Sequence, residues 1–265
     1  MCELLAMSAN VPTDICFSFS GLMQRGGNTG PHSDGWGVTF YEGKGCRSFK
    51  DPKPSAQSPI AELVTKYPMK SEAVICHIRQ ANSGKVCLEN THPFVRQMWG
   101  RNWTYAHNGQ LKDFENELPI EFHLPIGTTD SEHAFCWILD QLHLEFGAKQ
   151  VDAKLLFDFI ASLAAKIDKL GVANIIITDG EYLFAYCSNN LHWLTRRAPF
   201  GQASLIDAEM AVDFQKETTS NDVVTVIATK PLTDNETWHK MSAGQWQLFC
   251  LGKLVAGDLI CQEKA

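Results

Sequence analysis

The order of helix-like and strand-like segments constrains the fold of this chain most strongly. Strand-like segments come first, two long helical segments follow over 128–146 and 152–170, and further strand-like segments fill the remainder. A shorter helix is predicted near the start, over 13–24. Strands that alternate singly with helices would indicate parallel βαβ units. This grouped order instead predicts an α+β fold in which helices cover sheets.

Composition limits the classes of partner. The 265 residues carry a net charge of -7 and no long run of Lys or Arg, which argues against nucleic-acid and anionic-membrane partners. No apolar stretch has the length needed to span a bilayer, and no basic signal region precedes the first strand. The nine cysteines include no CxxC pair, which favours a reducing compartment. We therefore expect one cytoplasmic domain over 1–265 that binds a small molecule or another protein.

Cys2 is unusual by position. Removal of an initiator methionine before a small residue would leave a thiol and an α-amine on the same carbon atom. With a pKa of about 7.7 to 8.0, roughly a tenth of such an amine is unprotonated at pH 7, so it can accept a proton directly or through water. Taken alone, Cys2 is more simply interpreted as a buried cysteine without function.

Four other positions have chemical potential, and each has a plainer interpretation. Arg79 ends a strand-like run and could hold a carboxylate, or it could be a surface charge. Asn108 and Gly109 form an Asn-Gly pair that is typical of a hairpin turn, yet their N–H groups could also stabilise an oxyanion. Asp130 could simply favour a helix start, or it could bind an ammonium group. Together they describe a site for an amino acid beside a thiol.

The local sequences around these residues resemble those of the class II glutamine amidotransferases, which are N-terminal nucleophile hydrolases. The resemblance covers essentially the whole chain and is closest to the stand-alone bacterial type. The matching segments are MC at the start, QRGGNTGPHSDGWG (24–37), HIRQAN to NTHPF (77–94), AHNGQL (106–111) and TTDSE (128–132).

This resemblance implies a four-layer αββα sandwich and a thioester mechanism that needs no cofactor and no metal. It implies that Cys2 attacks glutamine, that Arg79 and Asp130 bind it, and that Asn108 and Gly109 form the oxyanion hole. The product would be glutamate, and the ammonia would pass to an unknown acceptor, which a synthase protein could bind in trans. The oligomeric state stays open.

The chain departs from the family pattern after the arginine, where synthase members have an RWAT-type segment and this chain has Gln80 and Asn82. Pocket contacts from these two residues therefore stay open. Two other functions also stay open: hydrolysis of γ-glutamyl amides in peptides or metabolites, and an inactive binding module with the same fold. A zinc site is disfavoured because the histidines at 32, 77, 92 and 107 lack ligand spacing.

Overall fold

Two antiparallel sheets face each other, and helices cover the outer face of each sheet. The computed structural model describes residues 2–81, 84–149, 151–216 and 218–258. Met1 and Asn82, whose roles the sequence left open, lie outside the described residues.

The helices are α1 (Cys16–Gln24), α2 (Pro59–Lys66), α3 (Phe114–Glu117), α4 (Asp130–Phe146) and α5 (Ala153–Asp168). The strands are β1 (Glu3–Thr13), β2 (Trp36–Glu42), β3 (Gly45–Asp51), β4 (Ser71–Ile78), β5 (Phe94–Met98), β6 (Arg101–Leu111), β7 (Gly171–Thr178), β8 (Tyr182–Tyr186), β9 (His192–Arg197), β10 (Gln202–Ser204), β11 (Ala211–Asp213), β12 (Val223–Ala228), β13 (His239–Lys240), β14 (Trp246–Cys250) and β15 (Lys253–Gly257). The first sheet has the order β13-β9-β12-β1-β4-β2-β3, and the second has the order β15-β14-β8-β7-β6-β5. Strands β10 and β11 form a separate hairpin.

Three apolar clusters separate the four layers. Residues on α1 and α2 pack on the first sheet, residues on α4 and α5 pack on the second, and a third cluster lies between the sheets. Side chains alternate between the two faces of strand β1. Leu5 packs in the cluster on the helix side, whereas Leu4 and Ala6 pack in the cluster between the sheets. Both faces of β1 are therefore buried. The predicted α+β, αββα architecture is confirmed.

Helix α4 begins at the predicted capping sequence, but the capping box is only half formed. Thr129 Oγ1 accepts a hydrogen bond from the N–H of Glu132 at 3.1 Å. The Glu132 carboxylate accepts from the N–H groups of Ile126 and Gly127 and pairs with Arg96. It thus holds the preceding loop against the helix start.

Two sequence predictions about local structure were wrong. The first helix begins at Cys16 rather than near residue 13, because β1 continues to Thr13. The Asn108-Gly109 pair is not a hairpin turn, since both residues pair with β7 as part of β6. Tertiary pairing overrides the local turn preference here. Among the described residues, no helix has both the length and the apolar character needed to cross a membrane.

Candidate active site

One small cavity between the N-terminal end of β1 and the start of α4 brings together four of the five predicted site residues. Cys2, Arg79, Gly109 and Asp130 line it, together with His92 and other residues of the segment after β4, of β6 and of the start of α4. The fifth residue, Asn108, is fully buried and contacts Cys2 directly. Residues that are far apart in sequence thus meet at one point.

Cys2 lies at the floor of this cavity, partly buried, against the backbone of Gln80. The Gln80 N–H donates to Cys2 Sγ at 3.3 Å, and the thiol donates to the Gln80 oxygen at 3.5 Å. Burial raises the pKa of the Cys2 thiol, whereas the Gln80 N–H acts in the opposite direction because it favours the thiolate. The sequence left open whether Gln80 contacts the pocket. In the structure, Gln80 contacts Cys2 through its backbone.

The QRGGNTGPHSDGWG segment fixes the position of Arg79. The Arg79 N–H donates to the oxygen of Gly35 at 2.8 Å, and its oxygen accepts from Asp34 N–H at 3.1 Å. Gly35 has a φ of 113°, a conformation that favours glycine. Arg79 is 4% exposed, and its guanidinium group donates to the oxygen of Lys85 at 3.1 Å. The residue lines the cavity.

Asn108 holds the first described residue of the chain. Its Nδ2 donates to the backbone oxygen of Cys2 at 2.6 Å and lies 3.3 Å from Thr229 Oγ1. The same Thr229 oxygen accepts from the N–H of Leu4 at 2.9 Å. The side-chain amide therefore ties the N-terminal end of β1 to β6, and its second N–H makes only a long contact.

The alternation of β6 fixes the direction of the Gly109 N–H. Lys112, just beyond the strand, donates to Leu170 at 2.9 Å, whereas Leu111 donates its N–H away from β7 to Asp130 Oδ2 at 2.7 Å. Because N–H groups alternate along an antiparallel strand, the N–H of Gly109 points to the same side as that of Leu111. That side contains the cavity.

Asp130, which is half-buried, forms a polar cluster with the buried Ser131 and His107 at the start of α4. Asp130 Oδ1 accepts from the N–H of Ser131 at 2.8 Å, and Ser131 Oγ lies 2.8 Å from His107 Nδ1. His107 Nε2 lies 3.0 Å from the oxygen of Val172, which can only accept, so Nε2 carries a proton. Burial lowers the pKa of His107, so its ring is neutral and Nδ1 accepts from Ser131.

The cavity can therefore bind a zwitterion next to a thiol. Arg79 offers a cation, Asp130 offers an anion, and the Gly109 N–H is a donor in the cavity that Cys2 also lines. Within the described residues, no group of three or more His, Cys, Asp or Glu side chains has the arrangement of a metal site. His77 and His92 stack with ring centroids 4.1 Å apart, and burial lowers the pKa of each.

The sequence did not reveal two ion pairs of the buried Arg25, one of which involves the residue next to Cys2 in the chain. Arg25 donates to Glu3 at 3.0 Å and to Asp207 at 2.7 Å. Glu3 follows Cys2 directly, so this network anchors the residue next to the thiol. An arginine before two glycines was a visible signal, but its distant partner Asp207 was not predictable from spacing.

Known proteins resemble this chain in sequence and in fold. A family model described as "Glutamine amidotransferases class-II" matches residues 1–264. The protein YafJ of Escherichia coli (strain K12), whose name assigns it provisionally to the glutamine amidotransferases, is 62% identical over 96% of this chain and 100% of its own length. A relative with a similar provisional name from Haemophilus influenzae is 44% identical over 97% of this chain and 86% of its own.

Solved structures show the same fold. A crystal structure of a predicted glutamine amidotransferase from Pseudomonas aeruginosa has a TM-score of 0.78 and 52% identity, and the match covers 96% of this chain and all of that one. The glutamine phosphoribosylpyrophosphate amidotransferase of B. subtilis has a TM-score of 0.62 over 99% of this chain and 50% of its own. At 13% identity, that second likeness concerns the fold alone.

Proposed function

The chain belongs to the class II glutamine amidotransferases, and on that premise we propose that it hydrolyses the side-chain amide of glutamine through a thioester on Cys2. The observation that carries this proposal is the cavity in which Cys2, Arg79, Gly109 and Asp130 meet. A glutamine bound there would place its carboxylate on Arg79 and its ammonium group on Asp130. Its side-chain amide would then extend toward the thiol.

The first half of the reaction forms the thioester and releases ammonia. Removal of Met1 frees the α-amine of Cys2, which takes the thiol proton as sulfur attacks the amide carbon. The N–H of Gly109 stabilises the oxyanion, and the second N–H of Asn108 joins it by leaving its 3.3 Å contact with Thr229. The amine then delivers its proton to the departing nitrogen. The carbon–nitrogen bond breaks, and ammonia leaves.

The second half regenerates the enzyme. A water molecule attacks the thioester carbon and gives one proton to the α-amine, and the same donors stabilise the second oxyanion. The carbon–sulfur bond breaks, glutamate leaves, and the proton returns to sulfur. We assign the activity to residues 1–265 as one domain, because Cys2 and Arg79 adjoin β1 and β4 of the first sheet whereas Gly109 belongs to β6 of the second. The free thiols among the described residues suit a reducing compartment such as the cytoplasm.

An assay of ammonia release tests the proposal against a γ-glutamyl amide hydrolase with the same site. Purified protein is given glutamine in one series and γ-glutamyl peptides in another, and the release of ammonia or of free amine is measured. We expect glutamine turnover that disappears in Cys2→Ala and persists in Cys16→Ala, a matched change at another partly buried free cysteine. Rapid peptide cleavage without glutamine turnover would establish the alternative leaving group. No turnover of either would indicate a binding module.

A further inference from the structure

Asn174 is a fully buried residue of β7 whose side chain has all of its hydrogen-bonding capacity in use. Its Oδ1 accepts from the backbone N–H groups of Ser188, Asn189 and Asn190, each at 3.1 Å. Its Nδ2 donates to the backbone oxygen of Asn108 at 3.1 Å and to Asn189 Oδ1 at 2.9 Å. A single amide thus connects the 188–190 turn to the strand that carries the oxyanion donors.

These contacts settle the orientation of the amide chemically. Three backbone N–H groups converge on one end of the side chain, and only the oxygen can accept from them. The nitrogen must therefore face Asn108, whose backbone oxygen can only accept. The next residue on the same face of β7 is the apolar Ile176, which packs between the sheets. Packing on this face therefore does not require an amide at position 174, and the hydrogen bonds explain it.

The bonded oxygen belongs to the same peptide unit as the N–H of Gly109. In a trans peptide, the C=O and N–H groups point in opposite directions. A hydrogen bond that holds the Asn108 oxygen toward β7 therefore holds the Gly109 N–H toward the cavity of Cys2. We propose that Asn174 is a positioning residue for this reaction, and that it orients the Asn108-Gly109 peptide so that its N–H meets the developing oxyanion.

This inference rests on the proposed function and concerns one step of it. Asn174 does not line the cavity, so it touches neither the substrate nor the thiol. Loss of its bond would leave the Asn108 oxygen held only by the pairing of β6 with β7, so the peptide unit could tilt. A tilt weakens stabilisation of the oxyanion but leaves the contacts of Arg79 and Asp130 in place. The effect should therefore appear in kcat and not in KM.

Two variants separate orientation of the peptide from anchoring of the turn. Asn174→Ala removes both functions. Asn174→Asp retains an acceptor for the three N–H groups of residues 188–190 but replaces the donor to Asn108 with an oxygen. The matched control is Thr178→Ala, because Thr178 is equally buried on the same face of β7. Its hydroxyl donates to the oxygen of Tyr182 at 2.6 Å and accepts from the N–H of Gly180 at 3.1 Å, both beyond the end of the strand.

The experiment measures kcat and KM for glutamine, the melting temperature, and the rate at which iodoacetamide alkylates Cys2. Removal of an oxyanion donor costs about 100- to 1,000-fold in kcat, so its misorientation should cost roughly 10- to 100-fold. We expect this loss in both Asn174 variants, with KM and the alkylation rate each within about twofold of wild type. Alkylation needs no oxyanion, so it reports an intact thiol. Thr178→Ala should retain its kcat.

Other outcomes would overturn the inference. A kcat within about threefold of wild type in Asn174→Asp would show that the hydrogen bond from Asn174 to the Asn108 oxygen does not orient the Gly109 N–H for catalysis. Parallel losses of kcat and alkylation would show general damage to the site instead of a rotated peptide. If wild-type protein hydrolyses neither glutamine nor γ-glutamyl-p-nitroanilide, the proposed function itself fails, and the role of Asn174 fails with it.

Discussion

Replacement of Gly109 by alanine is the most informative single perturbation of the proposed oxyanion site. A Cβ atom built at this position would lie 1.7 Å from the backbone oxygen of Val172 and 2.6 Å from His107 Nε2. Separations under 3.0 Å are essentially never observed for real Cβ atoms. Because Val172 presents backbone and not a flexible side chain, β6 itself must move away from β7 by more than about 1 Å.

The size of this movement sets two expected magnitudes. Local separation of β6 from β7 disrupts about two to three ladder hydrogen bonds at roughly 1 kcal/mol each, so we expect a loss of about 2 to 3 kcal/mol in the free energy of unfolding. For a chain of this size, that corresponds to a melting temperature lower by roughly 4 to 12 °C. A displacement of 1 Å at a reacting group costs about 100-fold in rate, so kcat should fall at least that far.

Circular dichroism and steady-state ammonia release measure the two effects in the same preparation. Gly201→Ala is the matched control, because a Cβ there meets nothing within 4 Å and its φ lies outside the left-handed region. We expect Gly201→Ala to match wild type in both assays. A Gly109→Ala protein with unchanged melting temperature and a kcat within about threefold of wild type would refute the close approach of β6 to β7 and the role of the Gly109 N–H.

Three further changes test the binding groups and the loop before α4. Arg79→Ala should raise KM for glutamine roughly 100- to 10,000-fold through loss of two charge-assisted hydrogen bonds, and should abolish the preference for glutamine over glutaminamide; an unchanged preference removes Arg79 from the site. Asp130→Asn should raise KM roughly 10- to 100-fold with little change in kcat, because the ammonium group loses its counter-charge. Burial acts to raise the pKa of Asp140, but three backbone N–H groups and His123 outweigh it and lower that pKa. Its stabilisation is therefore complete above the unfolded pKa of about 3.9 and is lost as the pH falls through the lower folded value. Asp140→Asn should thus lower the melting temperature at pH 7, and the difference should vanish in acid.

The order of segments predicted an α+β fold with helix-covered sheets because the pattern of apolar residues follows the layers, whereas the four-layer αββα arrangement was implied by the family resemblance. Buried strands such as β7 read as continuous apolar runs, and the helices α4 and α5 carry clear start signals at Thr129 and Asp152. The start of α1 was misplaced because β1 continues past its apolar run through the polar residues Asn10 and Thr13. Such an extension of a strand depends on pairing with neighbouring strands, and local propensity does not predict it.

The candidate site was predictable only where a residue has its own chemical signature. Cys2, Arg79 and Asp130 carry a thiol and charges, so their types suggested roles. Asn174 and the backbone of Gln80 act through hydrogen bonds across 66 and 78 residues of sequence, and no local pattern encodes those contacts. The Asn-Gly pair was misread as a turn because the need for glycine arises from the neighbouring strand, and not from a bend.

Labelling with a reactive glutamine analogue, followed by peptide mapping and intact-mass measurement of the same sample, tests the central claim most directly. The account predicts that active protein begins at Cys2, that the analogue modifies Cys2 alone, and that excess glutamine protects it. Cys2→Ala should take up no label while keeping the melting temperature of wild type. Active protein that retains Met1, or labelling at another of the nine cysteines, would contradict a mechanism that depends on an N-terminal thiol.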